Sequence, residues 1–350
     1  MLSRIDYMID EHSDQLKMVE FNLHSVGVVD NSPLYDFLNG LNLKQSDNFL
    51  QVAKILGKAV DKYEQIYKTN SQTTILLVIF ENDTDILCYR HIEIQLWKLG
   101  YSVKMRSIEQ LGKLVMFDED RLLVEGSEIS LVYFRTLPDE RNFNVDNFES
   151  VIQPIELSRA IKLPDIGQVL ISYKTFQQYF TQNEHVFEHF NDPTSCRQMR
   201  EVLMDFYKID DLKLVDEAIA NPQNYVLKLS YGEAGAGCWF DVDLKLKLEE
   251  WKSNWDDSSN ERCNFLLMKK INPPSFENVQ VTNGYKWQRG QFNSEYGFYG
   301  ALISVDDDIV FNDFIGNIVK GKAVGNNDAC LHANGRLSSL IIDDDNDDDL

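Results

Sequence analysis

Apolar strand patterns alternate with a helical pattern between residues 73 and 135, and this order restricts the fold more than any motif does. TTILLVIF (73–80) and ISLVYFR (129–135) are almost entirely apolar, and SVKMRSI (102–108) is a third strand pattern. DILCYRHIEIQLWKLG (85–100) has helical spacing and ends in glycine. Near-continuous apolar strands are typical of parallel sheets that helices cover on both faces. The order therefore predicts a small doubly wound α/β domain at residues 71–175.

The patterns on either side of this domain differ from it. LKMVEFNL (16–23) alternates apolar and polar residues and predicts a strand, and FLQVAKILGKAVDKYEQIY (49–67) predicts a long amphipathic helix. TSCRQMREVLMDFYKI (194–209) predicts another helix. From about Tyr225 onward, apolar runs separated by polar turns predict a series of hairpins. A chain of 350 residues divided in this way is expected to contain more than one subdomain.

The composition excludes several classes of protein. A hydrophobic fraction of 43% is that of a folded globular chain. A net charge of −22 argues against a nucleic-acid binder, so an anionic ligand would need a few placed lysines, arginines and metal ions. No apolar run approaches the length of a membrane span, and the first residues contain no signal-peptide pattern. Five scattered cysteines predict free thiols in a reducing cytoplasm, and the terminal run IIDDDNDDDL predicts a disordered acidic tail.

Two weak signals point to a bound metal and nucleotide. Glu20 and Asn22 stand two apart on a predicted strand, so their side chains share one face, and their oxygens suit Mg²⁺. A solvent-facing polar pair explains the same pattern. KLSYGEAGAG (228–237) places Lys228 before a loop of small residues that contains Glu233. This order differs from that of a P-loop, whose lysine follows its glycines, and it fits either an ATP-grasp phosphate loop or a plain turn.

A possible zinc motif is rejected. The stretch HVFEH (185–189) matches the HxxEH motif of inverted zinc proteases. It lies in the polar connector QNEHVFEHFNDP, and the other histidines of the chain offer no obvious third ligand. The sequence therefore predicts no zinc site here.

Seven blocks of sequence, in one shared order, resemble eukaryotic glutathione synthetase over nearly the whole chain. The blocks are RIDYM (4–8), EFN (20–22), LVYFRT (131–136), LPDIGQVLISYKTFQQ (163–178), VLKLSYGEAGAGC (226–238), LLMKKINPPSFEN (266–278) and SEYGFYG (294–300). The resemblance implies an α/β (α+β) ATP-grasp fold with an inserted doubly wound parallel-sheet substrate domain and a hairpin-rich lid. It also implies a longer N-terminal region than this chain carries.

The same resemblance divides the chain into six parts and gives it an activity. The expected parts are an ATP-grasp core at 1–70 and 289–342, the substrate domain at 71–175, a linker at 176–200, the lid at 201–288 and the acidic tail at 343–350. The implied reaction joins γ-glutamylcysteine to glycine through an acyl phosphate, giving glutathione, ADP and phosphate. ATP and Mg²⁺ are the implied cofactors. The two small molecules are the implied partners, without nucleic acid or membrane, and a cytoplasmic homodimer is implied.

Carried over position by position, the resemblance assigns three groups of residues. The implied metal ligands are Glu20, Asn22 and Glu233. The implied ATP site comprises Glu20, Lys174, Lys228, Gly235, Gly237, Phe240, Met268, Lys269, Lys270, Ile271, Glu295, Lys322 and Asp328. The implied peptide site comprises Arg4, His24, Ser25, Val26, Gly27, Asp83, Thr84, Asp85, Tyr89, Arg135, Lys320, Leu331 and His332. Within the peptide site, the residues expected to act in catalysis are Arg135 and Lys320.

Several positions depart from the family's pattern, mostly on the substrate side. Ala234 and Ala236 replace loop glycines, Lys320 replaces an arginine, and Leu331 and His332 enlarge a second glycine loop. A lysine lacks the planar fork with which arginine holds a carboxylate. Weak use of glycine is therefore expected. Two alternatives stay open: a ligase with a different acceptor amine, and a catalytically impaired pseudoenzyme that binds Mg-ATP or peptide.

Overall fold

A computed structural model describes residues 1–23, 26–28, 47–80, 86–112, 114–134, 148–190, 192–231, 237–282, 286–325 and 336–338. The strands are β1 (Leu2–Asp10), β2 (Gln15–Asn22), β3 (Thr74–Ile79), β4 (Ser102–Ser107), β5 (Val115–Asp118), β6 (Arg121–Val124), β7 (Ser127–Phe134), β8 (Ile161–Leu163), β9 (Phe206–Lys208), β10 (Tyr225–Leu229), β11 (Cys238–Phe240), β12 (Phe265–Lys269), β13 (Phe276–Thr282), β14 (Lys286–Val305), β15 (Asp308–Ala323) and β16 (Arg336–Ser338). The α-helices are α1 (Asn48–Tyr67), α2 (Ile86–Lys98), α3 (Ile108–Leu111), α4 (Gln153–Leu157), α5 (Ile166–Ser172), α6 (Lys174–Gln182), α7 (Pro193–Val202), α8 (Leu212–Ala220), α9 (Asp241–Ser253) and α10 (Ser259–Arg262). Within these ranges, no helix has both the length and the apolar character that crossing a membrane requires.

The first sheet joins the beginning of the chain to its last described strands. Its order is β16–β15–β14–β1–β2, with β13 on β14, and every neighbouring pair is antiparallel. No strand was predicted at β1, and on one of its faces two charged positions lie between two apolar ones. These positions are Leu2, Arg4, Asp6 and Met8. Leu2 and Met8 pack in separate apolar clusters, so a polar centre lies between two apolar regions of this face.

The second sheet contains the parallel strands that the sequence predicts. Its order is β4–β3–β7–β6–β5, with β8 on β7; β3 is parallel to β4 and β7, and β7 is parallel to β8. The antiparallel hairpin β5–β6 is an addition that the pattern did not predict. Ile75 and Leu77 on β3 belong to the main core, whereas Leu76 and Val78 belong to a second cluster. Burial of both faces explains the continuous apolar pattern of this strand.

The third sheet is antiparallel and has the order β11–β10–β12–β9. The helix predicted over 194–209 ends at Val202, and the residues that follow form the short edge strand β9. Phe206 of β9 is fully buried, so tertiary packing overrides the helical spacing of this segment. The prediction of one continuous helix here is therefore wrong.

Helix α9 is a second difference, because only hairpins were expected after Tyr225. Its buried residues Leu244, Leu248 and Trp251 have helical spacing and pack against the third sheet. The lysines and glutamates between them dilute this signal, and α9 ends at Ser253 before β12 begins. Helices therefore cover one face of the third sheet, and this part of the chain does not consist of hairpins alone.

The first and third sheets meet beside helix α6. The backbone N–H of Lys174, the first residue of α6, donates to the carbonyl oxygen of Ser230 at 2.9 Å. Ser230 directly follows β10, and helix α6 also packs on β2 and β9. This junction brings the start of α6, strand β10 and the polar face of the first sheet together.

Candidate active site

The buried carboxylate of Asp6 is the centre of the polar face of the first sheet. It is 0% exposed and lies on β1. Its Oδ1 accepts from Arg4 Nε at 2.8 Å, and its Oδ2 accepts from Arg4 Nη2 at 2.9 Å. Lys320 Nζ, on β15, donates to Oδ2 at 3.2 Å. Two cations from different strands are thus held by one carboxylate.

Lys320 also contacts Glu295, which stands directly opposite it on β14. Both residues are buried, at 7% exposure each. Burial alone would lower the pKa of Lys320, but Glu295 and Asp6 raise it above its ordinary value. The lysine therefore remains protonated through the physiological range.

Glu20 and Asn22 project from β2 on the same face, as their spacing predicts. Asp6 lies directly opposite Glu20, and Asn22 Nδ2 donates to Asp6 Oδ2 at 3.1 Å. Burial alone would raise the pKa of Glu20, but Lys174, Lys228, Lys320 and Arg4 lower it to about 2. The Glu20 carboxylate is therefore ionised near neutral pH.

Lys174 and Lys228 approach Glu20 from outside the sheet. Lys174 Nζ lies 3.6 Å from Glu20 Oε2, and it is carried by the first turn of α6. Lys228 Nζ, on β10, donates to the carbonyl oxygen of Val19 at 3.2 Å. Burial lowers the pKa of Lys228. The two lysines come from separate elements, so the site exists only when α6, β10 and β2 are docked together.

The loop after Lys228 connects two adjacent antiparallel strands, β10 and β11. Gly237, at its end, has a φ of +75°, and an added Cβ would lie 2.6 Å from Leu229 Cβ. This position therefore requires glycine for both backbone conformation and close approach. The residues of the loop at 232–236 lie outside the described part of the chain.

The predicted adenine-side residues lie on and after β12. Met268 and Ile271 belong to an apolar cluster with Met8 and Phe206. The ammonium groups of Lys269 and Lys270 do not join this cluster. They pair with Asp205 and Asp241, at 3.1 Å and 3.3 Å, respectively. Phe240 ends β11, with Lys270 Nζ 5.8 Å from the centre of its ring.

The predicted substrate residues are only partly brought together. Arg4 Nη1 and the Tyr299 hydroxyl donate to the Gly27 carbonyl oxygen at 3.3 Å and 2.8 Å, which holds the short segment 26–28 beside β1. Tyr89 packs in the main core, with its ring centre 5.9 Å from that of Tyr133. Lys322 lies two residues beyond Lys320 on β15 and so shares its face. The remaining predicted site residues lie outside the described residues: His24, Ser25, Asp83, Thr84, Asp85, Arg135, Glu233, Gly235, Asp328, Leu331 and His332.

Sequence reasoning missed Asp6 as a site residue. The signal was present, because Arg4 and Asp6 are two apart and therefore share one face of a strand. Without a predicted strand over these residues, the spacing did not indicate a shared face.

The residues present suit a divalent cation and a polyanion. The ionised Glu20 carboxylate and the Asn22 amide oxygen are hard-oxygen ligands of the kind that Mg²⁺ prefers, and Mg²⁺ takes few ligands from protein when phosphates supply the rest. Within the described ranges, no three His, Cys, Asp or Glu side chains are grouped to hold a metal on their own. In a chain with a net charge of −22, four cations surround Glu20. Asp6 and Glu295 offset the charges of Arg4 and Lys320, whereas Lys174 and Lys228 lie beside Glu20 itself.

Known proteins resemble this chain over most of its length. The family model of the eukaryotic glutathione synthase ATP-binding domain matches residues 1–339. The glutathione synthetase of Xenopus laevis is 29% identical over 351 residues, which cover 95% of this chain and 72% of that protein. That of Homo sapiens is 28% identical, covering 97% of this chain and 72% of that protein.

A solved structure supports the fold. The glutathione synthetase-like effector from Globodera pallida, in its apo form, matches with a TM-score of 0.74 at 20% identity, covering 98% of this chain and 75% of that one. At this identity the likeness concerns the fold alone. The fold class predicted from the sequence is confirmed.

Proposed function

The chain belongs to the eukaryotic glutathione synthase family and is an ATP-dependent ligase, and we propose that it joins γ-glutamylcysteine to glycine, giving glutathione, ADP and phosphate. The observation that carries this proposal is the set of cations around the ionised Glu20, namely Arg4, Lys174, Lys228 and Lys320. These side chains come from four elements that are remote in sequence. Such convergence is expected of a site for a highly charged ligand and is costly without one.

The first step of the proposed reaction transfers a phosphoryl group. A carboxylate oxygen of the peptide attacks the γ-phosphorus of ATP, the bond to the bridging oxygen breaks, and an acyl phosphate and ADP result. Lys174 and Lys228 stabilise the negative charge on the phosphates, because their ammonium groups converge beside Glu20. Glu20 and Asn22, with Glu233 from the loop, would hold Mg²⁺. When bound, this ion supplies charge neutralisation and alignment of the phosphates.

The second step makes the amide bond. The amine of glycine attacks the acyl carbon, phosphate leaves with the bonding electron pair, and the amine loses a proton. Arg4 and Lys320 supply positive charge on the peptide side of the site, and Arg135 is proposed to join them. No enzyme nucleophile is needed, so the cysteines have no catalytic part in this scheme.

One observation favours a second candidate, a protein that binds Mg-ATP or peptide with little turnover. The ammonium of Lys320, the residue proposed to hold the acceptor carboxylate, already contacts Glu295 and Asp6. A carboxylate ligand must compete with two buried anions for this lysine. The two candidates differ in one measurable property, because the binder retains affinity for ATP but releases little ADP, whereas the ligase releases ADP.

The test is ADP release from the purified chain with ATP, γ-glutamylcysteine and glycine, and with each omitted in turn. The proposal expects sustained ADP release that requires both γ-glutamylcysteine and glycine, with glutathione as the product detected by mass spectrometry. Release that requires the peptide and another amine indicates a different acceptor. Tight ATP binding without ADP release under any of these conditions supports the binder.

We further propose a cytoplasmic location and a homodimeric assembly. The resemblance to the family supports both. Among the described residues, Cys88, Cys196, Cys238 and Cys263 form no disulfide, which favours a reducing compartment. Sedimentation of the purified chain tests the assembly, and imaging of the tagged protein tests the location.

A further inference from the structure

We infer that Asp6 is a positioning residue that turns the Asn22 side chain so that its amide oxygen, rather than its nitrogen, faces the cation. This inference rests on the proposed function, because it concerns the metal that Glu20 and Asn22 would hold. Asp6 itself contacts neither the metal nor the substrates in this account. It acts through one hydrogen bond, from Asn22 Nδ2 to Asp6 Oδ2 at 3.1 Å.

The chemistry of the two side chains fixes the direction of that bond. Asp6 is paired with Arg4 and Lys320, and an ionised carboxylate accepts hydrogen bonds and donates none. An asparagine amide presents a donor at one end and an acceptor at the other, and the two ends have nearly the same shape. Only the NH₂ end of Asn22 can satisfy Asp6. The oxygen is therefore left at the opposite end, on the strand face that also carries Glu20.

Asp6 is itself held in one place. Arg4 binds both of its oxygens, at 2.8 Å and 2.9 Å, in the planar two-bond arrangement that arginine makes with a carboxylate. Lys320 adds a further bond at 3.2 Å, and the carboxylate is fully buried. With two cations fixing its position, Asp6 offers Asn22 an acceptor that does not move.

The neighbouring strand leaves room for this arrangement. Gly297 on β14 stands opposite Asp6, and a Cβ added there would lie 2.7 Å from Asp6 Oδ1 and 3.1 Å from Arg4 Cδ. The φ of Gly297 is not in the left-handed region, so close approach rather than backbone strain explains the glycine. A side chain at this position would displace the carboxylate that orients Asn22.

A simpler role for Asp6 is to neutralise Arg4 and Lys320. The two roles differ in what they predict for Asn22. A negative charge near a cation aids its binding whatever residue stands at position 22, whereas orientation matters only when an asparagine is there to be oriented. A double-mutant cycle between Asp6 and Asn22 therefore separates them.

The experiment measures the affinity of the full chain for Mn²⁺ in the presence of a non-hydrolysable ATP analogue, from the free Mn²⁺ signal in electron paramagnetic resonance. The variants are Asp6→Ala, which removes the acceptor of the Asn22 amide, Asn22→Ala and the double variant. Loss of an outer partner of a metal ligand typically weakens binding about 10- to 100-fold. We expect Asp6→Ala to weaken Mn²⁺ binding by about this factor in the unaltered chain, and by at most about threefold in the Asn22→Ala background. An equal loss in both backgrounds shows that charge alone acts and overturns the inference.

Two controls keep the test decisive. Glu128→Gln removes a carboxylate that accepts from Arg159 at 2.7 Å and from the Tyr63 hydroxyl at 2.8 Å in the second sheet, and it should leave Mn²⁺ affinity unchanged. If Asp6→Ala does not fold, the variant Asp6→Ala with Lys320→Met is used, because it removes one buried charge of each sign. It is compared with Lys320→Met alone, again with and without Asn22→Ala. Failure of the unaltered chain to bind Mn²⁺ with the analogue overturns the proposed metal site and this inference together. Normal binding by the unaltered chain without coupling between Asp6 and Asn22 overturns the inference alone.

Discussion

The ammonium of Lys228 donates a hydrogen bond to the backbone oxygen of Val19, 3.2 Å away, and this contact joins the third sheet to the first. The lysine is buried, and the acceptor belongs to the residue that precedes Glu20. A backbone carbonyl is a weaker partner for an ammonium than a phosphate oxygen is. Lys228 is therefore positioned to exchange Val19 for a phosphate of ATP without leaving the site.

Lys228→Met should weaken ATP binding about 10- to 100-fold, because a hydrogen bond to a charged group contributes about 1.5–3 kcal/mol. Calorimetric titration with ATP measures the change. Lys252→Met is the matched control, since Lys252 lies in the same module on α9 and pairs with Asp216 at the surface. An unchanged ATP affinity in Lys228→Met would remove Lys228 from the phosphate site.

The module proposed as a lid, residues 201–288, should gain protection from hydrogen exchange when Mg-ATP binds. Its contacts with the rest of the chain include the bonds of Lys228 with Val19 and of Ser230 with Lys174, and a ligand that bridges these elements would hold them closed. Exchange is compared with and without Mg-ATP, with β3 and β7 of the second sheet as the internal reference. Equal protection of the module in both states would argue against a lid.

Glu20 should add stability that is present above about pH 4.5 and is lost as the pH falls toward 2. The surrounding cations depress the folded-state pKa of Glu20 to about 2, from an ordinary value of 4.5, so the unfolded chain takes up the proton first on acidification. The difference in free energy of unfolding between the unaltered chain and Glu20→Gln should be constant above pH 4.5 and shrink below it. A difference that does not change between pH 5 and pH 2.5, followed by urea unfolding, would contradict the depressed pKa.

Lys320→Arg should lower the KM for glycine. The lysine ammonium is occupied by Glu295 and Asp6, whereas a guanidinium has five donors and can retain these partners while presenting a planar pair of N–H groups to a carboxylate. Steady-state kinetics with varied glycine, at saturating ATP and γ-glutamylcysteine, measure the effect. A KM for glycine that is unchanged or raised would show that Lys320 does not limit acceptor binding.

Gly237→Ala should destabilise the β10–β11 hairpin by about 1–3 kcal/mol, because a side chain there meets both a positive φ and a close contact with Leu229. Gly126→Ala is the matched control, since Gly126 has the same φ of +75° but no atom within 4 Å of the added Cβ. Thermal unfolding compares the two variants. The close contact is the cause only if Gly237→Ala loses clearly more stability than Gly126→Ala.

Sequence patterns predicted the elements whose buried positions are mostly apolar. Strand β3 is buried on both faces and helix α1 on one face, so their apolar spacing indicated both correctly. Strand β1 was not predicted, because the half-buried Arg4 and the buried Asp6 occupy positions on its inner face that usually carry apolar residues. The charged side chains at these positions belong to the candidate site rather than to the apolar core.

The residue types of the candidate site could be predicted from the sequence, but the hydrogen bonds between them could not. The shared face of Glu20 and Asn22 follows from strand spacing, and the position of Lys228 before a small-residue loop follows from the sequence. The bond from Asn22 to Asp6 depends on the register between β1 and β2, which includes an irregularity between Asp6 and Tyr7. Such a register shift is not visible in the pattern of either strand.

The central claim is that this chain activates the cysteinyl carboxylate of γ-glutamylcysteine with ATP and passes it to glycine. It is tested most directly with γ-glutamylcysteine labelled with ¹⁸O in that carboxylate. The account predicts glutathione and inorganic phosphate that carries one ¹⁸O atom, because the oxygen that attacks the γ-phosphorus leaves with the phosphate when the amine displaces it. Glutathione formed without ¹⁸O in the phosphate would contradict the acyl-phosphate route, and no glutathione from a chain that binds ATP would contradict the claim itself.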